Sequence, residues 1–306
     1  MAGNLPSSIV IHPRVFEALA SNEPVVALES TVITHGLPYP ENLTLACDME
    51  SEVLKHGAIP ATIAILDGRI CVGLEPAQLE CLARGQVVRK ISLRDFAPAI
   101  AQHASGGTTV AGTLLAASAV GLRVFATGGI GGVHREAPFD VSADLTQMAR
   151  TPLVVVCAGA KAILDLPATL EMLETLGIPV VGYQTDEFPA FYSRSSGLGV
   201  SVRVDTPQEI ADIARVHWTL MESAVLVVNP PPEGEALSRE VVEVATQQAL
   251  EEARQQGVHG QAVTPFLLRR VSELTGGASL RANLALLLDS ARLAAQIACQ
   301  LVHESA

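Results

Sequence analysis

A chain of 306 residues fits one large domain or two small ones, and with 49% apolar side chains it can bury a sizeable core, which argues against global disorder. Its net charge of −12, with no basic run among the lysines and arginines, argues against nucleic acid and against a membrane surface as partners. Neither CxxC nor Cys/His spacing joins the five cysteines (Cys47, Cys71, Cys81, Cys157, Cys299), so they are expected to be buried thiols in a reducing compartment. A small phosphorylated ligand stays compatible with this composition, because a few local cations and backbone amides can hold one phosphate. No signal-peptide pattern opens the chain and no stretch is expected to span a membrane, so the cytoplasm is the expected location.

Val25 to Leu28 read as a buried strand that ends on a carboxylate, Glu29, and then on the polar residues Ser30, Thr31, Thr34 and His35. Asn42 reads as the N-cap of a helix to about His56, stopped by Gly57. ATIAIL-DG-RICVGL is a hairpin, its Asp67-Gly68 pair suiting a type I′ turn. A short helix over 76–84 leads to the strand VVRKIS, a further helix covers about 95–104, and GGTTV opens one that ends by Gly121. RVFATGGIGG is a strand running into a glycine loop, LVVVCAG is a strand followed by a helix over roughly 162–176, and PVVGYQT is a third strand. Thr206-Pro207-Gln208-Glu209 combines an N-cap, a proline at the first helical position and a capping-box glutamate. AVLVVNPPP adds a strand, and the C-terminal part is mainly helical, with a long helix from about Ser279. Apolar strands separated by helices, with one hairpin, predict a three-layer α/β/α sandwich with a mixed, mostly parallel central sheet. A single compact domain over residues 1–306 is expected.

In such sheets ligands gather beyond the carboxyl ends of the strands. The residues just past the apolar runs include Glu29, Lys90, the stretch TGGIGGVHR and Lys161. FATGGIGGVHR has His134 where a dinucleotide fingerprint needs its third glycine, and no phosphate loop of the G-x-x-x-x-G-K type occurs. The glycines then serve either a tight turn at positive φ or a nest of amides facing an anion, and His134 and Arg135 favour the nest. SGGTTVAGT and LTGGASLRAN also place glycines ahead of helices, where anions bind. Ser142 in FDVSADL is an expected N-cap, and the flanking Asp140 and Asp144 suit a hard divalent ion held largely through water. Lys161 either reaches out to water or has a chemical task. Burial disfavours a charged amine, and a neutral amine is a nucleophile toward a sugar carbon, with Glu29 as partner acid. Arg89 and Lys90 alternate in one strand and so face opposite sides, leaving Lys90 an edge or a phosphate role.

These stretches, with GAIPATIAIL, RKISLRD, VGYQTDEFPAFYSR and TPFLLRRVSELTGGASLRAN, resemble the pseudouridine-5′-phosphate glycosidase family, which includes the indigoidine synthase A-like proteins, from about residue 8 to 295. The resemblance implies reversible cleavage of a phosphorylated nucleoside, pseudouridine 5′-phosphate, into uracil and ribose 5-phosphate through a lysine Schiff base. It also implies a divalent metal, most often manganese, and a homotrimer. It assigns Glu29 as proton donor and Lys161 as Schiff-base nucleophile. Lys90, Val110, Ser142, Ala143 and Asp144 fall on substrate contacts, and Asp140 on the metal position. His134 and Asn283 are further candidates for the phosphate and the uracil edge. Two other readings stand beside it: a Schiff-base lyase for another sugar phosphate, and a non-catalytic ligand-binding or accessory protein of the indigoidine type. The intact Glu29/Lys161 pair argues against the latter.

Overall fold

The computed structural model describes residues 6–85, 88–135, 137–258 and 260–303. In chain order the first half runs β1 (Ile9–Ile11), α1 (Pro13–Ala20), β2 (Val25–Leu28), α2 (Glu41–Lys55), β3 (Ile59–Leu66), β4 (Arg69–Val72), α3 (Pro76–Arg84), β5 (Arg89–Ile91), α4 (Phe96–Ala101), β6 (Gly106–Thr108) and α5 (Val110–Ala119). It continues with β7 (Val124–Ala126), β8 (Val133–His134), β9 (Ala137–Val141), α6 (Ala143–Met148), β10 (Val154–Cys157), β11 (Leu164–Asp165) and α7 (Leu166–Thr175). The remainder is β12 (Val180–Tyr183), β13 (Val202–Val204), α8 (Pro207–Leu220), β14 (Val225–Val228), α9 (Arg239–Gln255), α10 (Val263–Leu274) and α11 (Ala278–His303).

The main sheet has the order β1-β4-β3-β2-β7-β10-β14-β12-β13, with β6 also against β3 and β5 against β6. Only β3–β4 and β3–β6 are antiparallel, so the sheet is mixed and mostly parallel, as expected. The helices pack around it as a three-layer α/β/α sandwich. β2, β10 and β14 are buried along their whole length, which is why they read as unbroken apolar runs rather than alternating ones. α11 packs on β2, β7 and β10, and α5 on β2, β3 and β4. Leu28 pairs with Ala126 and Ala126 with Val156, so the chain segments that follow β2, β7 and β10 emerge at one edge. A second, three-stranded sheet, β11-β8-β9, stands beside that edge.

Several elements depart from the sequence expectation. Asn42 is not the cap of α2 but lies inside it, buried, donating to the Ile33 carbonyl at 2.7 Å and the Ala83 carbonyl at 3.0 Å. It thereby ties the π-helical turn Val32–Gly36 to α2 and α3, and Pro40 takes the cap position. Gly106 and Gly107 open no helix. They form β6, because a Cβ at Gly107 would collide with the Thr34 hydroxyl and only glycine lets the segment lie against that turn. The helix expected from 162 begins at Leu166, where Asp165 caps the Ala168 amide at 3.0 Å; residues 164–165 pair with β8 instead. Cys47 and Cys81 are exposed rather than buried, although all five cysteines are free. Contrary to expectation, Ala278–Val302 has the length and hydropathy of a membrane span, but half of its most apolar window is buried in the fold.

The hairpin β3–β4 turns at Asp67-Gly68 with φ of 48° and 74°, as a type I′ turn requires. A Cβ at Gly68 would also lie 2.7 Å from the Ile100 carbonyl. Gly68→Ala is therefore expected to lower the unfolding free energy by about 1–3 kcal/mol, read as a lower urea midpoint at unchanged slope.

Candidate active site

At the edge where β2, β7 and β10 end, a cavity of about 570 Å³ opens. It is lined by Glu29, Lys90, Val110, His134 and Asp140 from the first part of the chain. Ser142, Ala143 and Asp144 at the start of α6, Lys161 after β10 and Asn283 on α11 complete the same wall. All ten of these residues singled out from the sequence thus reach one cavity, although the chain between the first and the last spans most of the molecule.

Glu29 is half-buried and its carboxylate is bracketed by two hydroxyls. Thr31 donates to Oε2 at 2.7 Å, and Thr127, fully buried beyond β7, donates to Oε1. Glu29 and Thr127 are neighbours because they follow the paired residues Leu28 and Ala126. Lys161 is held by backbone and side chain: its backbone amide donates to the Ile130 carbonyl at 3.1 Å and its Nζ to the Gly129 carbonyl at 2.5 Å. Cys157, the other nucleophile near this strand end, is buried, and burial pushes its thiol up to about 12. It stays protonated and inert.

Lys90 lies on the cavity while Arg89 points out and donates to Gln102 at 2.6 Å, as strand alternation requires. Burial, and then the Lys161 ammonium, push the Lys90 amine below the ordinary lysine value, against the opposing pull of Asp144 and Glu29. His35, on the same wall, is pushed below its usual value by burial and then by Lys90. The cavity therefore carries cationic groups in surroundings that resist their charge, and an anionic ligand relieves that cost.

The glycine loop works differently from either reading of the sequence. Gly128, Gly129, Gly131 and Gly132 are absent from the positive-φ positions. They are glycines because side chains crowd them: a Cβ at Gly131 would run into Ser142, and one at Gly132 into Thr169. The amide expected to face an anion is taken by the protein itself. Buried Asp144 accepts from Gly131 N at 2.8 Å through Oδ2 and from Ala111 N at 2.9 Å through Oδ1, joining the loop to the N-terminus of α5. Ser142 caps α6, accepting from Asp144 N at 3.2 Å. Arg135 does not line the cavity, so it is not the anion ligand that its position after the loop pointed to.

Asp140 is exposed on β9 at the cavity wall. Among the described residues no group of three His, Cys, Asp or Glu side chains could cage a metal. A lone carboxylate at a wet rim fits a hard ion that keeps most of its water, and does not fit a protein-caged ion. Sequence reasoning missed Arg94 and the wall from α10, namely Thr264, Pro265 and Leu268. Arg94 sits in RKISLRD one short turn beyond Lys90, a signal that could have found it; the α10 face had none, since those residues read as an ordinary helix start.

The fold and this cavity define an α/β protein with a lysine and a carboxylate converging on one cavity. Residues 14–300 match the family described as indigoidine synthase A like protein, and the chain belongs to that family. It is 54% identical over 294 residues to the pseudouridine-5′-phosphate glycosidase of Solibacter usitatus, covering 95% of this chain and 98% of that one. It is 51% identical over 296 residues to the protein of the same name from Geobacillus kaustophilus, covering 96% and 98%. Among solved structures, prealnumycin C-glycosynthase AlnA in complex with ribulose 5-phosphate superposes with a TM-score of 0.90 at 39% identity, covering 97% of this chain and 98% of that one. An indigoidine synthase A-like protein from Thermotoga maritima gives a TM-score of 0.90 at 37% identity, covering 98% and 99%.

Replacing Asp144 by Asn would set an amide donor against one of the two N–H groups it serves. Asp144→Asn is expected to cost about 1–3 kcal/mol of stability, measurable by urea unfolding.

Proposed function

We propose that this protein reversibly cleaves the carbon–carbon glycosidic bond of pseudouridine 5′-phosphate, giving uracil and ribose 5-phosphate, with Lys161 as nucleophile and Glu29 as general acid/base. The observation that carries the reading is the convergence of these two side chains on one cavity, in a chain about half identical over its length to proteins bearing that name.

The substrate explains the need for an amine. Its ribose C1′ is bonded to uracil C5, so the leaving atom has no lone pair to protonate, and the two-carboxylate scheme of ordinary glycosidases does not serve. In the proposed course the ring C1′–O bond opens with a proton from Glu29 to the ring oxygen, and the neutral Lys161 amine bonds to C1′. The nitrogen, left as an ammonium, gives a proton to the Glu29 carboxylate and regains its lone pair, and Glu29 passes that proton to uracil C5. The C1′–C5 bond then breaks: its electron pair restores the C5–C6 double bond of uracil, and the nitrogen lone pair forms a C1′–N iminium. Water adds to that iminium, its surplus proton returns to the Glu29 carboxylate, and ribose 5-phosphate and the free amine are released. Thr31 and Thr127 hold the Glu29 carboxyl in place for these transfers. Lys90, with Val110, His134, Ser142, Ala143 and Asp144, forms the wall for the sugar phosphate, and phosphate binding keeps the opened sugar in register. Asn283 supplies an amide for the uracil edge. A hydrated divalent ion at Asp140, manganese by preference, would supply positive charge and ordered water at the rim.

The same reading includes one catalytic domain, supported by the continuous sheet from β1 to β13. It includes a homotrimer, for which family membership and the exposed apolar Val216, Leu220 and Val244 offer contact surface. A cytoplasmic location is supported by five free cysteines. A second reading, Schiff-base chemistry on another sugar phosphate, is favoured by the likeness to a C-glycosynthase bound to ribulose 5-phosphate.

Incubation with uracil, ribose 5-phosphate and manganese is expected to yield pseudouridine 5′-phosphate, and borohydride with ribose 5-phosphate to leave an adduct on the peptide carrying Lys161. Lys161→Ala is expected to abolish both, by about 10³-fold or more in kcat; full activity in this variant refutes the mechanism. An adduct without pseudouridine 5′-phosphate supports the second reading.

Lys90 loses its charge at a lower pH than an ordinary lysine, because its amine is pushed down. If it holds the phosphate as a cation, kcat/KM falls on the alkaline side at a pH below that value, because kcat/KM reports the free enzyme. Lys90→Arg, which keeps its charge, is expected to remove that limb from the pH profile.

A further inference from the structure

We propose that Arg135, anchored by Glu243 on α9, is a positioning residue for Lys161, fixing the backbone that follows the nucleophile. The inference rests on the reading of Lys161 as the Schiff-base amine.

Lys161 lies in a connection between β10 and α7 that has little regular pairing of its own. Ahead of the lysine the connection is held by the glycine loop, through the Ile130–Ala160 bridge and the bond from Lys161 N to Ile130 O. Behind it, beside the two-residue pairing of β11 with β8 and the bond from Leu164 N to Lys161 O at 3.0 Å, the side-chain support comes from one guanidinium. Arg135 Nη2 donates to the Ala162 carbonyl at 3.1 Å and Nε to the Leu164 carbonyl at 3.1 Å, two of the three residues that follow the lysine. The same guanidinium forms a two-point pair with Glu243, Nη1 to Oε1 at 2.6 Å and Nη2 to Oε2 at 3.0 Å. The planar fork of arginine meets four acceptor contacts in these directions, and a lysine ammonium cannot.

The placement separates this role from its rivals. Arg135 lies outside the cavity lining and its donors are turned to the backbone and to Glu243, so it is not a ligand contact. The pair is 20% and 47% exposed, and an ion pair so placed adds little to global stability. Its effect is local: it fastens α9 to the stretch 162–164 and removes freedom from the lysine backbone. Arg135 in turn holds the Glu243 carboxyl below the usual carboxylate range, so the pair stays charged through neutral pH. A nucleophile on a loop gains rate when its attack geometry is fixed before the substrate arrives, and a misplacement of about 1 Å can cost on the order of 10²-fold.

The test compares Arg135→Met, Arg135→Lys and Glu243→Gln in the full chain. The measurements are kcat and KM for pseudouridine 5′-phosphate, and the rate at which borohydride traps the ribose 5-phosphate adduct on Lys161. The expected result is a fall of about 10- to 100-fold in kcat and in trapping rate for both Arg135 variants, with KM close to the unsubstituted value. Glu243→Gln is expected to show a smaller fall in the same direction at an unchanged unfolding midpoint. Unchanged kcat and trapping in Arg135→Met overturns the proposal, as does a rise in KM at constant kcat, which belongs to ligand binding. Should the Arg135 variants fail to fold, Glu243→Gln decides, and an unchanged trapping rate there overturns it. Failure of the unsubstituted chain to give a Lys161 adduct is a different outcome, because it removes the nucleophile reading itself.

Discussion

The shared register of β2, β7 and β10 is the constraint on which the rest of the site depends. Leu28, Ala126 and Val156 sit side by side, so the first residues beyond these strands emerge together at one edge. A slip of one residue in any of the three would turn its side chains to the opposite face. β2 is covered on both faces, and the first polar position it reaches is Glu29, which is why the carboxylate stands where the apolar run stops. The same register sets Thr127 beside it, so the partner of Glu29 is chosen by sheet geometry rather than by a flexible loop.

The second constraint is the use of one buried acid as a fastener. Asp144 joins two backbone amides that lie far apart in sequence, Ala111 at the start of α5 and Gly131 in the glycine loop. Its two oxygens satisfy donors that would otherwise be buried without partners, which is costly in a dry interior. The glycines nearby follow from this closeness: Gly131 lies where any side chain would strike Ser142. A stretch that reads as an anion nest is thus partly filled by the protein's own carboxylate, and ligand anions are left to the cationic wall around Lys90.

Much of this was legible in the sequence, for reasons that also explain the failures. Unbroken valine runs announce buried strands, and a charged residue at the end of such a run is conspicuous, which is how Glu29 and Lys161 stood out. The pair β8–β11 and the three-residue strands β1 and β13 are too short to show a period, so pattern alone cannot reveal them. Asn42 has the residue type and place of a helix cap, and composition does not tell whether such an amide faces water or, as here, ties Ile33 to Ala83. Arg135 failed in the same way, because a cation after a glycine loop looks the same whether it faces a ligand or two carbonyls and a carboxylate.

The electrostatics of the cavity bear on why a lysine rather than a second acid stands opposite Glu29. Burial, and then the nearby charge of Lys161, push the Lys90 amine below the ordinary lysine value. A proposed amine nucleophile must be neutral to attack, and in the proposed course Glu29 is the group that carries the protons. Two carboxylates in the same space would reverse the bias, favouring protonated acid and repelling the phosphate. The arrangement therefore suits an anionic sugar whose bond cannot be broken by protonating a heteroatom, and it suits that substrate only if the lysine is held still. The bonds that Lys161 donates to the Gly129 and Ile130 carbonyls on one side, and those from Arg135 on the other, provide that restraint.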